Sequence, residues 1–129
     1  MVTGVDDFIE GDASFVAAVK EVGYEKNHLL LVHSPLQLKQ VKKEMKLINA
    51  LRSQDEQLNI QYAFAGHNHG GQVTIFGFAP VMPEKSGKYM SGWYNKKPPF
   101  LYVSNGFGTS TLPFRFGARS EVTVFNYGV

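Results

Sequence analysis

Apolar positions along the chain follow two rhythms, one suited to strands and one to helices. Val2–Val5 reads as a short strand that ends at the acidic pair Asp6-Asp7. Over residues 13–22, Phe15, Ala18, Val19 and Val22 fall at three-and-four spacing, which predicts a short amphipathic helix capped by Asp12 or Ser14. Residues 28–34 then hold a continuous apolar run closed by Ser34-Pro35, the pattern of a central strand covered on both faces. Leu38, Val41, Met45, Ile48 and Leu51 mark one face of the longest predicted helix, residues 36–52, with Lys39, Lys42, Lys43 and Lys46 on its other side. A polar loop over 54–59 leads into a second buried strand, residues 60–65, and a glycine-dense turn follows at once. Strand, helix, strand, helix, strand in that order predicts an α/β sheet with crossover helices. Beyond it, residues 73–76, 100–103 and 122–127 are β-like with no helical stretch between them, so the C-terminal portion is expected to be β-rich with long loops.

At 129 residues the chain is one domain's worth, and 43% hydrophobic with 19% charged residues is a globular composition. The absence of cysteine excludes a disulfide framework, thiolate metal ligation and a Cys nucleophile, so any metal must rest on imidazole, carboxylate or water. A net charge of +2 is too balanced to predict nucleic-acid binding. The lysine stripe, with no aromatic residues between its members, reads as a solvated helix face. Apolar runs such as 29–32 are far too short to span a bilayer, and the opening Met-Val-Thr-Gly-Val-Asp-Asp has neither the basic nor the apolar region of a targeting segment. The expected location is the cytoplasm or the periphery of the cytoplasmic membrane.

Candidate chemistry concentrates in Gly66-His67-Asn68-His69-Gly70-Gly71-Gln72. Two histidines one residue apart at the end of an apolar strand need a backbone turn to share a site, and the flanking glycines permit one. The strand would deliver both imidazoles to its carboxyl edge, where open α/β sheets place ligands. His33 ends the preceding strand in Leu-Val-His-Ser-Pro and would reach the same edge, whereas His28 lies at the opposite end. Two readings of these histidines stand side by side: metal donors, or turn and strand-end residues hydrogen-bonded to the backbone.

Leu-Val-His-Ser-Pro followed by Ala-Gly-His-Asn-His-Gly-Gly-Gln resembles the C-terminal motifs of the calcineurin-like metallophosphoesterases, closest to the bacterial branch with G-H-x-H-G-G-Q. The resemblance extends to Gly4-Val5-Asp6-Asp7, Ser91-Gly92-Trp93-Tyr94, the Tyr102 to Ser110 segment, and Leu112-Pro113-Phe114-Arg115-Phe116-Gly117 before Glu121. It implies a hydrolase of phosphate esters on a four-layer α/β/β/α sandwich, with two divalent ions (Mn, Zn or Fe) that activate water and neutralise phosphoryl oxygens. It further implies that His33 and His67 ligate one ion and His69 the other. Gly66, Gly70 and Gly71 would keep the backbone near the site, and Asn105 and Arg115 are candidates for phosphate or substrate contact. Phe107 is a candidate for the substrate mouth, with Trp93 and Tyr94 assigned to the core.

The family's N-terminal motifs, D-x-H, G-D-x-x-D and G-N-H-D/E, are absent from this sequence, and neither Asp6-Asp7 nor Gly11-Asp12 replaces them. Imidazoles alone do not offset the repulsion of two closely spaced divalent ions. The chain is therefore expected to be the C-terminal part of a metallophosphoesterase domain, inactive alone. Its unpaired sheet edges are expected to favour a homodimer, and membrane contact to arise only through an absent N-terminal region. The rival reading is a non-catalytic metal-binding or protein-interaction module on the same scaffold.

Overall fold

Both helices cross over from one parallel strand to the next, and this sets the architecture. The computed structural model describes residues 1–110 and 113–128, so Leu112 of the motif above lies outside the described residues, as do Thr111 and Val129. The elements are β1 (Val2–Val5), α1 (Phe15–Ala18), β2 (His28–Val32), α2 (Gln37–Ala50), β3 (Ile60–Ala65), β4 (Gly92–Tyr94) and β5 (Phe100–Val103). They form a five-stranded sheet in the order β1-β2-β3-β5-β4, with β4 antiparallel to β5 and the other pairings parallel. This is an α/β fold with a mixed sheet.

One sheet face carries the core. Phe15 and Val19 from α1 and the following turn, with Leu38 and Val41 of α2, pack over Val5, Leu30, Val32, Ala63, Leu101 and Val103. Removing each such side chain from water is worth roughly 1.5–3 kcal/mol. Ser14 caps α1 by accepting a hydrogen bond from the Ala17 amide at 3.2 Å. The regular helix is shorter than the 13–22 predicted. Its coil continues as turns, and Arg52 of the segment after α2 donates to the carbonyls of Val19 and Val22, satisfying acceptors that further helix would have used.

The expectation that the second strand is covered on both faces does not hold. His28, Leu30 and Val32 are buried while Leu31 is 47% exposed, because both helices lie on the same side of the sheet. On the other side lies an aromatic carpet of Tyr62, Phe64, Trp93 and Tyr102, partly covered by the C-terminal segment. Phe125 sits 4.7 Å from Phe64 and 4.9 Å from Tyr102, centroid to centroid, and Tyr127 sits 5.8 Å from Tyr62.

The C-terminal portion holds fewer strands than its sequence predicts. Residues 122–127 form none, since β5 is already paired on both edges by β3 and β4, and the segment lies across the face instead. Residues 73–76 make isolated bridges only, Val73 to Phe116 and Gly117 and Ile75 to Phe78, because positive φ at Phe76 and Gly77 turns the chain back. No helix among the described residues is long and apolar enough to cross a membrane.

Candidate functional site

Parallel pairing brings the carboxyl ends of β1, β2, β3 and β5 to one edge, and the ladder runs past the strand ends. Gly66 donates its amide to the His33 carbonyl at 3.1 Å and Ser104 donates to the Ala65 carbonyl at 2.8 Å. Asp7, His33, the 66–71 turn and Asn105 therefore follow neighbouring strands along this edge. The turn needs left-handed backbone at His67 (φ 68°), His69 (φ 49°), Gly70 (φ 61°) and Gly71 (φ 78°). Two of these are glycines for a steric reason as well. A Cβ on Gly70 would collide with Asn105 Oδ1, and one on Gly71 with the Ala79 methyl group.

The rings of His33 and His67 meet edge to face, with centroids 4.8 Å apart and His33 Nε2 3.0 Å from His67 Nδ1. When both rings are neutral, their hydrogen-bond partners fix which nitrogens carry the protons. His67 Nε2 lies 2.7 Å from the Glu84 carbonyl, which can only accept, so Nε2 donates and His67 Nδ1 carries the lone pair. His33 Nε2 then donates to it. Two metal–nitrogen bonds of about 2.1 Å at the tetrahedral angle subtend about 3.4 Å, so the two nitrogens stand a few tenths of an ångström from the spacing of two ligands on one ion, and a metal would displace the proton of His33 Nε2 to its Nδ1. The Glu84 carbonyl is the outer partner that orients a ligating imidazole. On these grounds the pair fits a divalent cation. Among the described residues, however, no three His, Asp or Glu side chains come together as a complete metal-binding group.

Asp7 contributes charge to this edge. Desolvation raises its carboxyl pKa, but the amides of Ile9 and Glu10 and the charges of His33 and His67 outweigh that and hold it below the usual value. His69 sits apart from the pair, beside Arg115. Arg115 Nη2 lies 3.3 Å from His69 Nδ1 and, having no lone pair to offer, must donate. Burial and the Arg115 charge lower the His69 pKa and so favour the neutral ring, against a hydrogen bond to the Gly108 backbone that favours the charged one.

Arg115 otherwise donates to backbone carbonyls, those of His69, Asn105, Gly108 and Ala118. Its guanidinium thus ties three loops of the edge together. Asn105 is held by Glu121, which accepts from its amide at 3.0 Å and its Nδ2 at 3.3 Å, while Asn105 Oδ1 is buried with no hydrogen-bond partner among the described residues. Burial raises the Glu121 pKa, but these donors and the hydroxyls of Tyr102, Ser104 and Thr123 bring it below the usual value.

His33, His67 and His69 open onto one cleft of about 650 Å³. Its remaining wall is largely apolar and includes Val73, Pro80, Val81, Met82, Pro83 and Phe114. Sequence reasoning missed this wall. Its signal was the apolar tetrad Pro80-Val81-Met82-Pro83 inside a long loop, whereas the Glu84 carbonyl left no side-chain signature at all. Phe107, 78% exposed, does not line the cleft.

The α/β sheet thus carries paired imidazoles on its carboxyl edge. The chain is homologous to uncharacterized bacterial metallophosphoesterases and matches a C-terminal portion of them. It is 30% identical over 125 residues to the uncharacterized metallophosphoesterase YkuE of Bacillus subtilis, a match covering 96% of this chain and 39% of that protein. It is 31% identical over 106 residues to an uncharacterized metallophosphoesterase of Helicobacter pylori, covering 81% and 24%. YkoQ of Bacillus subtilis, another uncharacterized metallophosphoesterase, is 28% identical over 130 residues, covering 95% and 41%. The chain thus spans less than half the length of these curated relatives. No family model and no solved structure matches it.

Proposed function

We propose that this chain supplies the imidazole side of a dinuclear metal centre in a hydrolase of phosphate esters. The observation that carries the reading is the His33–His67 pair, 3.0 Å apart at the carboxyl edge with His67 fixed by the Glu84 carbonyl. In this reading His33 and His67 hold one ion and His69 offers a nitrogen to the other, with the carboxylates coming from polypeptide of the kind the relatives carry outside the matched span. Two divalent ions, when bound, supply charge that activates water and neutralises the phosphoryl oxygens.

The chain's own residues have separate tasks. Glu84 and His33 orient the His67 ring, Arg115 braces the loops around His69, and Asp7 places negative charge beside the histidine pair. The open sheet face is the surface that a four-layer sandwich would cover, and in the isolated chain it favours pairing with a second copy. Alone, the chain binds a metal weakly and does not turn over substrate.

Titration with zinc, read by histidine NMR shifts and calorimetry, tests this. One weakly bound ion that moves His33 and His67 together, and is lost in His67→Ala, is the expected result. Silence from both rings refutes the metal reading and favours an interaction module. Restoration of hydrolysis on mixing with a soluble companion bearing the D-x-H and G-D-x-x-D motifs extends the test to activity.

A further inference from the structure

Glu121 stands behind the 66–71 turn, and among the described residues it lines no part of the cleft. We propose that it is a positioning residue for His69. Its carboxylate orients the Asn105 amide so that Asn105 Oδ1 becomes a stop against which Gly70 rests, and this fixes the left-handed backbone that presents the His69 ring. The use made of His69 rests on the phosphoesterase reading above, whereas the way the ring is held does not.

An ionised carboxylate has no proton to give, and this decides which way the Asn105 amide faces. Glu121 Oε2 lies 3.3 Å from Asn105 Nδ2 and Oε1 accepts from the Asn105 backbone amide at 3.0 Å. The side chain therefore turns its nitrogen to Glu121 and its oxygen away. The carboxylate is itself held, since the Tyr102 hydroxyl donates to Oε1 at 3.0 Å and lies 3.0 Å from Thr123 Oγ1. The Glu121 amide donates to the Gly106 carbonyl at 3.0 Å, and the Arg115 guanidinium donates to the Asn105 carbonyl at 2.7 Å. Asn105 is thus fixed at its amide, its side-chain nitrogen and its carbonyl.

The oxygen that is turned away meets Gly70. A Cβ on Gly70 would collide with Asn105 Oδ1, so the α-hydrogen that takes its place points at that oxygen. A Cα–H···O contact of this kind gives a role to a buried oxygen that has no hydrogen-bond partner among the described residues. Gly70, at φ 61°, directly follows His69, at φ 49°. Left-handed backbone is costly for histidine, so a stop supplied from another loop is what keeps the turn in place. Glu121, Asn105 and Gly70 form a line of contacts that ends one peptide from His69, while His33 and His67 are held separately by each other and by the Glu84 carbonyl.

Exchanging donor and acceptor roles tests this relay. Glu121→Gln keeps the size but sets an NH2 group against Asn105 Nδ2, so the Asn105 amide turns over and its own NH2 group meets the Gly70 α-hydrogen. Asn105→Asp sets two carboxylates against each other. The double variant, Glu121→Gln with Asn105→Asp, again places a donor opposite an acceptor and an oxygen opposite Gly70. In NMR spectra of the unsubstituted chain, one Gly70 α-proton is expected well downfield of its twin. In each single variant that difference shrinks and the His69 ring signals move while those of His33 and His67 stay, and the double variant reverses both changes. With the soluble companion described above, kcat for nitrophenyl phosphate is expected to fall about 10- to 100-fold in each single variant at little-changed KM, and to recover in the double. Equivalent Gly70 α-protons in the unsubstituted chain, a measurement that needs no variant to fold, overturn the relay. Single variants that leave His69 unmoved, or a double variant no better than the singles, also overturn it. No hydrolysis from the unsubstituted mixture, with the Gly70 signature and its reversal intact, would refute the phosphoesterase reading while leaving the relay in place.

Discussion

Arg115 shows how a residue can serve a site by holding it up. Its guanidinium donates to the carbonyls of His69, Asn105, Gly108 and Ala118, and Arg115→Met would strand these acceptors. The expected loss is about 2–3 kcal/mol in urea unfolding, together with line broadening of the His69 ring signals. Sequence reading placed Arg115 at the site through a motif but gave no hint of this bracing, because its partners are backbone groups on three separate loops. His28 makes a prediction of another kind. It is fully buried, with Nε2 2.8 Å from Thr3 Oγ1, and burial, with a smaller push from the amino-terminal charge, lowers its pKa despite the opposing charge of Glu25. Below about pH 6.5 the unfolded chain takes up a proton that the folded chain refuses, so stability is undiminished above that pH and falls as pH drops. His69 acts in the same sense through its lowered pKa. Urea midpoints between pH 7.5 and 5 should therefore decline, and His28→Gln should reduce the slope without abolishing it.

Among the elements, those set by long-range burial were legible and those set by neighbours were not. β1, β3 and α2 lie close to where the hydrophobic pattern puts them, because each presents a continuous apolar face to one core. β4 was hidden, since Gly92-Trp93-Tyr94 is only three residues long with an exposed Trp93, and its existence depends on the free edge of β5. Helix α2 begins without a side-chain cap on its first residue, and Gln37 does that work in another way. It accepts from the Ser34 amide at 2.8 Å and donates to the Asp6 carbonyl at 2.7 Å, tying the ends of β1 and β2 to the helix start. Gln37→Met keeps the volume and removes both bonds. It should cost about 1–3 kcal/mol in chemical denaturation and speed hydrogen exchange at Ser34. By contrast Leu51, 89% exposed after the helix, should tolerate Leu51→Lys within about 0.5 kcal/mol.

For the whole molecule, the imbalance between its two faces dominates. One face of the sheet is sealed by helices, while the other leaves Val2, Leu31 and Trp93 roughly half exposed. The chain is expected to self-associate at micromolar concentration, and Leu31→Lys on the open face should shift the population toward monomer with little change in urea midpoint. A single 14.4 kDa species across that range by sedimentation would refute it. The sequence foresaw exposed edges but read the second strand as covered twice, because an apolar run records only that both faces seek burial and not which one finds it within this chain. That same face carries the one tryptophan of the sequence, ringed by Tyr62, Phe64, Tyr102 and Phe125 at 5.2–6.4 Å between centroids. The protein therefore has an optical probe of its own. Anything that covers the face, a second copy or a companion polypeptide, must dehydrate Trp93 and shift its emission to the blue, so that assembly can be followed by ultraviolet light in unlabelled protein.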